Sequence, residues 1–141
     1  MFPAPLDCKT LTTRELGREG ERIAAGYLQA VGYRLVDRNW LWRGPDVRGE
    51  LDIVALNGDL LVVCEVKTRR SSAAGRPIDA VTPAKQQRLW RLANRWLAEH
   101  RYDEEFRRWC PGAVRGIRID IIGLLFPDDG FEPFLDHVQA V

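Results

Sequence analysis

Hydrophobic and polar positions alternate along this chain with two periods, and each period predicts one kind of element. Near the start, Thr12 and Glu15 form a capping-box pair, which is typical of a helix N-terminus. Gly32 is well placed to end that helix. Between these positions, apolar residues recur at helical spacing and predict a first helix. They are Leu16, Ile23, Ala24, Tyr27 and Val31.

Three β-prone runs follow the predicted helix, at residues 33–40, 50–56 and 60–67. The second and third are joined by Asn57-Gly58-Asp59, which is typical of a hairpin turn. Residues 60–64 are apolar at every position, so the third strand is expected to be central and covered on both faces.

The second half of the chain predicts one long helix and further strands. Thr82 followed by Pro83 begins a helix that runs to about residue 100, after a polar loop at 71–77. A short helical segment at 103–109 precedes a strand at 114–126, and a turn at 127–130 leads towards a last strand ending at 138. The order predicts an α/β fold: a single domain over 1–141, with a mixed central β-sheet flanked by helices and a flexible N-terminal extension at 1–11.

Length and composition narrow the class of protein. The chain has 141 residues, of which 45% are hydrophobic, and no apolar stretch approaches the ~20 residues of a membrane helix. The first ten residues lack the pattern of a secretion signal. The cysteines Cys8, Cys64 and Cys110 form neither a disulfide framework nor a zinc pattern. We therefore expect a soluble protein of the reducing cytoplasm without a membrane partner.

Charge is unevenly distributed although the net charge is only +1. Residues 1–66 carry −2, residues 67–118 carry +8 and residues 119–141 carry −5. A basic middle suits a polyanionic partner such as nucleic acid, and it equally suits a solvated outer helix face.

Candidate chemistry lies on the predicted hairpin. Glu65 interrupts a buried strand, where an ionised group is costly unless it is paired or bound to metal. Glu65 and Lys67 project from the same face, and Asp52 can face them if the register allows. Two carboxylates and an ammonium suit metal-dependent hydrolysis of a phosphodiester. The alternative is an ordinary ion pair between Glu65 and Lys67 at the strand end.

The sequence also resembles a known family, the YraN-like family of uncharacterised bacterial proteins, in the PD-(D/E)xK restriction-endonuclease-like superfamily. The matching segments are LGREGE at 16–21, GY at 32–33, RNW at 38–40, GELDIVA at 49–55, EVKTR at 65–69, AVTPAKQ at 80–86 and RIDII at 118–122. The resemblance implies a restriction-endonuclease-like fold. Leu51 stands where the superfamily name has proline.

The resemblance also implies a set of catalytic residues. Asp52 and Glu65 would be metal carboxylates, the Val66 backbone carbonyl a further ligand, and Lys67 the catalytic lysine, with Mg²⁺ or Mn²⁺ as cofactor. Glu21 would match the helix-borne acid of archaeal Holliday junction resolvases. Helical spacing alone leaves Glu19 and Glu21 equally suitable; the Gly-Glu match selects Glu21.

Several side chains are candidates for nucleic-acid contact. An arginine stripe on the second helix is one group, and Lys85 and Gln86 match the helix position from which related nucleases reach their site. The full set is Arg48, Arg69, Lys85, Gln86, Arg88, Arg91 and Arg95.

Some other residues have two interpretations. Trp40 and Trp42 could stack on bases, although core packing is the better interpretation of Trp40. Glu50 could join the acidic cluster, with a surface salt bridge as the safer interpretation. Arg118 and Asp120 would support the sheet or pair with each other. His100 and His137 have no ligand partner at suitable sequence spacing and are interpreted as structural.

These observations lead to one main hypothesis, a Mg²⁺-dependent nuclease that hydrolyses phosphodiester bonds of structured or branched DNA. The branched substrate, and a homodimer with two active sites, rest on the resolvase analogy. The alternative is a non-catalytic nucleic-acid-binding or recombination-accessory protein that retains the nuclease fold. A third hypothesis is a protein-interaction scaffold with structural carboxylates.

Overall fold

The computed structural model describes residues 10–70, 81–127 and 132–141. Its elements are α1 (Thr13–Ala30), β1 (Arg34–Arg43), β2 (Arg48–Asn57), β3 (Leu60–Arg69), α2 (Pro83–His100), α3 (Glu104–Trp109), β4 (Gly116–Leu125) and β5 (Phe134–Val138). The predicted loop at 71–77, most of the turn at 127–130 and Cys8 lie outside the described residues. No helix within the described ranges is long and apolar enough to cross a membrane.

Short polar signals set the helix boundaries. Thr12 Oγ1 accepts a hydrogen bond from Glu15 N (3.1 Å), which satisfies one of the free amides at the start of α1. Thr82 Oγ1 does the same for Lys85 N (3.1 Å) at the start of α2. Gly32 follows α1 with φ of +98°, a left-handed conformation that ends a helix with little strain. The predicted helix ends are confirmed.

The five strands form one mixed sheet in the order β1-β2-β3-β4-β5. β3 and β4 are parallel, and the other neighbouring pairs are antiparallel. The predicted hairpin is confirmed, because Asn57 pairs with Leu60 and Gly58 turns the chain with φ of +63°. The predicted single-domain α/β fold with a mixed sheet is therefore confirmed.

Helices cover both faces of this sheet. On one face, which we call the α1 side, Ala24 and Leu28 pack over Val62 and Cys64. On the other, the α2 side, residues of α2 and Phe106 of α3 pack over the alternate positions of the strands. Residues 61–64 have no exposed surface, as predicted for a central strand covered twice.

Some predicted boundaries and faces were wrong. β1 continues to Arg43, beyond the predicted end at residue 40, because its pairing with β2 extends that far. Leu11, the last residue of the predicted N-terminal extension, packs against the α1-side core, whereas residues 1–9 of that extension lie outside the described residues. Val31, assigned to the apolar face of α1, is 53% exposed because it follows the last helical turn.

Candidate functional site

The candidate catalytic residues lie where β2 and β3 stop pairing. Their ladder runs from the turn as far as Ile53 opposite Cys64 and then stops, while residues 48–51 of β2 remain paired with β1. Beyond that point the Asp52 side chain bonds to β3 instead, its Oδ2 accepting from Val66 N at 2.9 Å. We refer to Asp52 and residues 65–67 together as the ladder end.

The side-chain alternation of β2 reverses at the ladder end. Leu51 packs in the α2-side core and Ile53 in the α1-side core, although residues two apart on a regular strand share a face. Gly49 also faces α2, since a Cβ built on it would lie 2.9 Å from Leu92 Cδ1. Glu50, between Gly49 and Leu51, is consequently directed towards the α1 side, whereas Asp52 lies at the reversal itself, with its carboxylate bonded to the Val66 backbone amide.

Glu65 reaches the ladder end from the opposite face. It continues the alternation of Leu61 and Val63, which pack on the α2 side. Its Oε1 lies 2.8 Å from the Nζ of Lys85 at the start of α2. The predicted alternative of a Glu65–Lys67 pair is thus wrong, because α2 supplies the nearer ammonium. Among the described residues, no carboxylate lies within 4 Å of Lys67.

Glu21 and Glu50 are held side by side by an asparagine that the sequence analysis gave no role. With its amide oriented to satisfy both groups, Asn39 Nδ2 donates to Glu21 Oε2 (2.9 Å) and to Glu50 Oε1 (3.1 Å). Asn39 has φ of +52°, a conformation that asparagine tolerates better than most residues. Glu50 therefore joins the acidic residues, and the predicted surface salt bridge is absent from the described part of the chain.

The local environment disfavours ionisation of Glu21 and Asp52. Burial, followed by the charge of Glu50, raises the pKa of Glu21, and Arg38 opposes this shift. Burial raises the pKa of Asp52 to about 7, with a further contribution from Glu65. The bond from Val66 N favours the charged form of Asp52, but it does not offset these effects. Negative charge at the ladder end is therefore incompletely neutralised.

The three candidate acids do not form a compact ligand set. Oxygens of Glu21, Asp52 and Glu65 do not all lie within 4.8 Å of one another. Within the described ranges, the triad that meets this spacing is Cys64, Asp120 and His137.

Hydrogen bonding explains the triad around Asp120. Asp120 Oδ1 accepts from Arg118 Nε (2.8 Å) and Ala140 N (3.1 Å), and Oδ2 accepts from Arg118 Nη2 (2.9 Å) and His137 Nε2 (2.8 Å). The Arg118 guanidinium already neutralises this carboxylate and would repel a dication. The predicted Arg118–Asp120 pair is confirmed.

The histidines have structural contacts, as interpreted. His137 lies within ligand distance of Cys64 and Asp120 in space, which sequence spacing did not reveal. Its Nδ1 lies 2.9 Å from the Tyr27 hydroxyl of α1, so it connects β5 to that helix. His100 stacks on Trp96, with ring centroids 4.2 Å apart.

The predicted nucleic-acid residues are dispersed rather than gathered. Arg88 and Arg91 are exposed on α2, and Arg48 is exposed at the start of β2. Arg95 is partly buried, with its guanidinium 5.2 Å from the Trp42 ring centroid. The remaining residues, Arg69, Lys85 and Gln86, are partly buried near the ends of β3 and α2.

The two tryptophans of β1 stack on each other. Their ring centroids are 5.5 Å apart with an interplanar angle of 16°, and both pack against the α2-side core. Core packing of Trp40 is therefore confirmed.

Comparison with known proteins places the chain in a family. The profile of the uncharacterised protein family UPF0102 matches residues 20–124. A UPF0102 protein of Arthrobacter sp. (strain FB24) is 47% identical over 127 residues, covering 89% of this chain and 94% of that protein. Similar proteins occur in Streptomyces coelicolor (45% identical, 89% and 87% covered) and Acidothermus cellulolyticus (42% identical, 93% and 96% covered). The chain belongs to the uncharacterised protein family UPF0102, the YraN family that its motifs resemble.

Proposed function

We propose that this protein is a Mg²⁺- or Mn²⁺-dependent nuclease acting on structured or branched DNA, with Glu21, Asp52, Glu65 and Lys67 as its catalytic residues. The observation that carries the proposal is the position of Asp52. It lies where a β-ladder ends, and burial together with the charges of Glu65, Glu21 and Glu50 raises its pKa. A divalent cation is the natural counter-charge for such a site.

The donor types at the ladder end suit a hard cation, although the oxygens of Glu21, Asp52 and Glu65 do not all lie within 4.8 Å of one another. Carboxylate oxygens of Asp52, Glu65 and Glu21, with the Val66 carbonyl, are the ligand types that Mg²⁺ and Mn²⁺ prefer. One Asp52 oxygen is bonded to Val66 N and one Glu65 oxygen to Lys85, so each carboxylate has a second oxygen to offer. When bound, a divalent cation supplies charge neutralisation at the phosphate and a more acidic water.

The chain's own groups have distinct roles in this proposal. Lys67 projects from β3 beside Glu65 and, as a compact ammonium, would orient the attacking water or stabilise charge on the phosphate. Lys85 fixes the Glu65 rotamer through its 2.8 Å contact. The Val66 amide orients Asp52 in the same way. Arg88 and Arg91, exposed on α2, would contact the phosphate backbone.

A cleavage panel tests the proposal. Purified protein is incubated with duplex, single strand, flap, four-way junction and RNA, in Mg²⁺, in Mn²⁺ or in EDTA. We expect cleavage of a branched substrate in metal only, and a loss of about 10²–10⁴-fold in Lys67→Ala, the range typical of one positioned catalytic group. Asp52→Asn should abolish both cleavage and the calorimetric signal of metal binding.

Asp59→Asn is the matched control for Asp52→Asn. Asp59 is an exposed acid at the far end of the β2–β3 hairpin, paired with Arg115 at 2.9 Å. This variant should cleave and bind metal like the wild type. Cleavage that persists in Lys67→Ala would identify a contaminating nuclease and end the proposal.

A second candidate, nucleic-acid binding without cleavage, is favoured by one observation. Glu21, Asp52 and Glu65 do not share a 4.8 Å sphere, and Lys85 already neutralises Glu65. This candidate predicts salt-dependent DNA binding that is unchanged in Lys67→Ala, with no cleavage under either metal.

A further inference from the structure

A cleft on the α1 side adjoins the acidic residues and has an arginine rim. It encloses about 720 Å³ between the first half of α1 and strands β1 and β2. Its lining residues are Arg14, Gly17, Arg18, Glu21, Arg38, Asn39 and Glu50. We call Arg14, Arg18 and Arg38 the arginine rim. These three residues lie on the opposite side of the sheet from Arg88 and Arg91 of α2.

The rim arginines are available to a ligand. All three side chains are exposed, and the described part of the chain places no carboxylate within 4 Å of any of them. Arg38 is close enough to Glu21 to lower its pKa without forming a direct pair. By contrast, Arg22 on the same helix pairs with Glu19. Within the described ranges, no carboxylate therefore occupies the donors of the rim guanidinium groups.

Helix stability does not explain the rim. Arg14 is the second residue of α1, in the turn where the helix dipole disfavours positive charge. Arg18 lies one turn further on, about 6 Å along the helix axis, on the same face. That separation is comparable with the spacing of successive phosphates along a nucleic-acid strand.

We propose that the arginine rim binds consecutive phosphates of one nucleic-acid strand and guides that strand over Glu21 towards the ladder end. This inference rests on the proposed function, because it assigns the path of the substrate into the same site. Three guanidinium groups above two carboxylates form a site with a cationic edge and an acidic floor. A phosphodiester strand fits the edge directly, since guanidinium binds phosphate through paired hydrogen bonds.

Binding without cleavage is the direct test. A fluorescein-labelled four-way junction and its linear duplex are titrated in EDTA over a series of KCl concentrations, with fluorescence anisotropy as the readout. We expect Arg14→Gln/Arg18→Gln to weaken binding about tenfold or more and to reduce the slope of log K against log salt by about 1–2. The charge-matched control, Arg107→Gln/Arg108→Gln, removes two exposed arginines from α3 and should bind nearly as tightly as wild type.

A second pair of variants tests occupancy of the cleft without changing charge. Gly17 lines the cleft, and a Cβ there would meet no atom within 4 Å. Gly26, exposed on the same helix, is equally open but lies outside the cleft lining. Gly17→Met and Gly26→Met should both raise Tm through better helix propensity. Gly17→Met alone should weaken DNA binding, because its side chain occupies the path of the strand.

The outcomes separate this inference from the proposed function. If the wild-type protein binds DNA through the arginine rim but never cleaves it, the nuclease proposal is contradicted and the DNA-binding role of the rim is supported. If Arg14→Gln/Arg18→Gln cleaves DNA and binds it normally, only the proposed role of the arginine rim is contradicted. Equal losses of DNA affinity in the two arginine double variants, or in the two glycine variants, would also contradict the proposed role of the rim. The absence of any DNA binding, or equally effective competition by polyglutamate, would overturn its assignment to phosphodiesters.

Discussion

Asp120 is the most deeply buried charged residue in the described part of the chain, with no exposed surface. Two hydrogen bonds from Arg118 and one each from His137 and Ala140 satisfy its carboxylate. Asp120 thereby fastens β5 and the C-terminal residues to the centre of the sheet. Removing a buried charge with this many partners leaves those partners without their hydrogen bonds and counter-charge, which destabilises the fold.

We predict that Asp120→Ala lowers the free energy of unfolding by about 3–5 kcal/mol, because the guanidinium of Arg118 is left largely buried without a counter-charge. Urea denaturation measures this loss. Asp59→Ala, which breaks an exposed pair with Arg115, should lower the free energy by less than about 1 kcal/mol. Equal losses in the two variants would contradict the anchor role.

Asp52 has the opposite effect on stability. Its pKa in the folded protein is about 7, above the ordinary value of 3.8, so the folded state binds this proton more tightly than the unfolded state. The resulting stability is fully present below pH 4 and is lost as the pH rises through 7.

We therefore predict that metal-free wild-type protein in EDTA loses several degrees of Tm relative to Asp52→Asn between pH 4 and pH 8. The variant lacks the titrating group, so the difference between the two Tm profiles isolates Asp52. Thermal denaturation followed by circular dichroism across this pH range measures the effect. Parallel profiles would show that Asp52 ionises normally.

At the scale of elements, the approach of α1 to the sheet depends on Gly20. A Cβ on Gly20 would collide with Thr68 Oγ1 and lie 3.3 Å from Leu124 Cδ1. The absence of a side chain lets α1 approach β3 closely, and the next residue, Glu21, is brought towards the ladder end as a result.

We predict that Gly20→Ala lowers the free energy of unfolding by about 1–3 kcal/mol, since overpacking outweighs the better helix propensity of alanine. The double variant Gly20→Ala/Thr68→Ala should lose less stability than the sum of the losses in its two single variants, because Thr68→Ala removes the colliding oxygen. Gly26→Ala, on the open face of α1, should instead raise the free energy of unfolding by about 0.5–1 kcal/mol. Additive losses in the double variant would show that this contact does not limit packing.

The elements themselves were predictable from local signals. Thr12, Gly32 and Thr82 fixed helix boundaries, and the Asn57-Gly58 turn fixed the β2–β3 hairpin, because each acts through bonds to nearby backbone. The reversal of alternation between Leu51 and Ile53 was not predictable. It depends on β2 losing one partner strand while keeping another, and a single strand's pattern carries no information about its neighbours.

At the scale of the molecule, the candidate site also combines local features, which were predictable, with contacts between distant elements, which were not. The sequence predicted Asp52, Glu65 and Lys67 because they follow a local motif on a hairpin. It missed the bridging role of Asn39 and the cleft below Arg38, since these join β1 to a helix through side chains alone. It also left open whether Glu65 pairs with Lys67, because the competing ammonium of Lys85 belongs to α2, which is distant in the sequence.

The end of the β2–β3 ladder has a thermodynamic consequence for the whole domain. Glu21 reaches it from the helix on one face, and Lys85 from the helix on the other. We expect a ligand that contacts both Glu21 and the Glu65–Lys85 pair to link α1 and α2 directly, so that its binding energy stabilises both helices. Occupancy would then slow amide hydrogen exchange in the two helices together, and the domain would open as one cooperative unit.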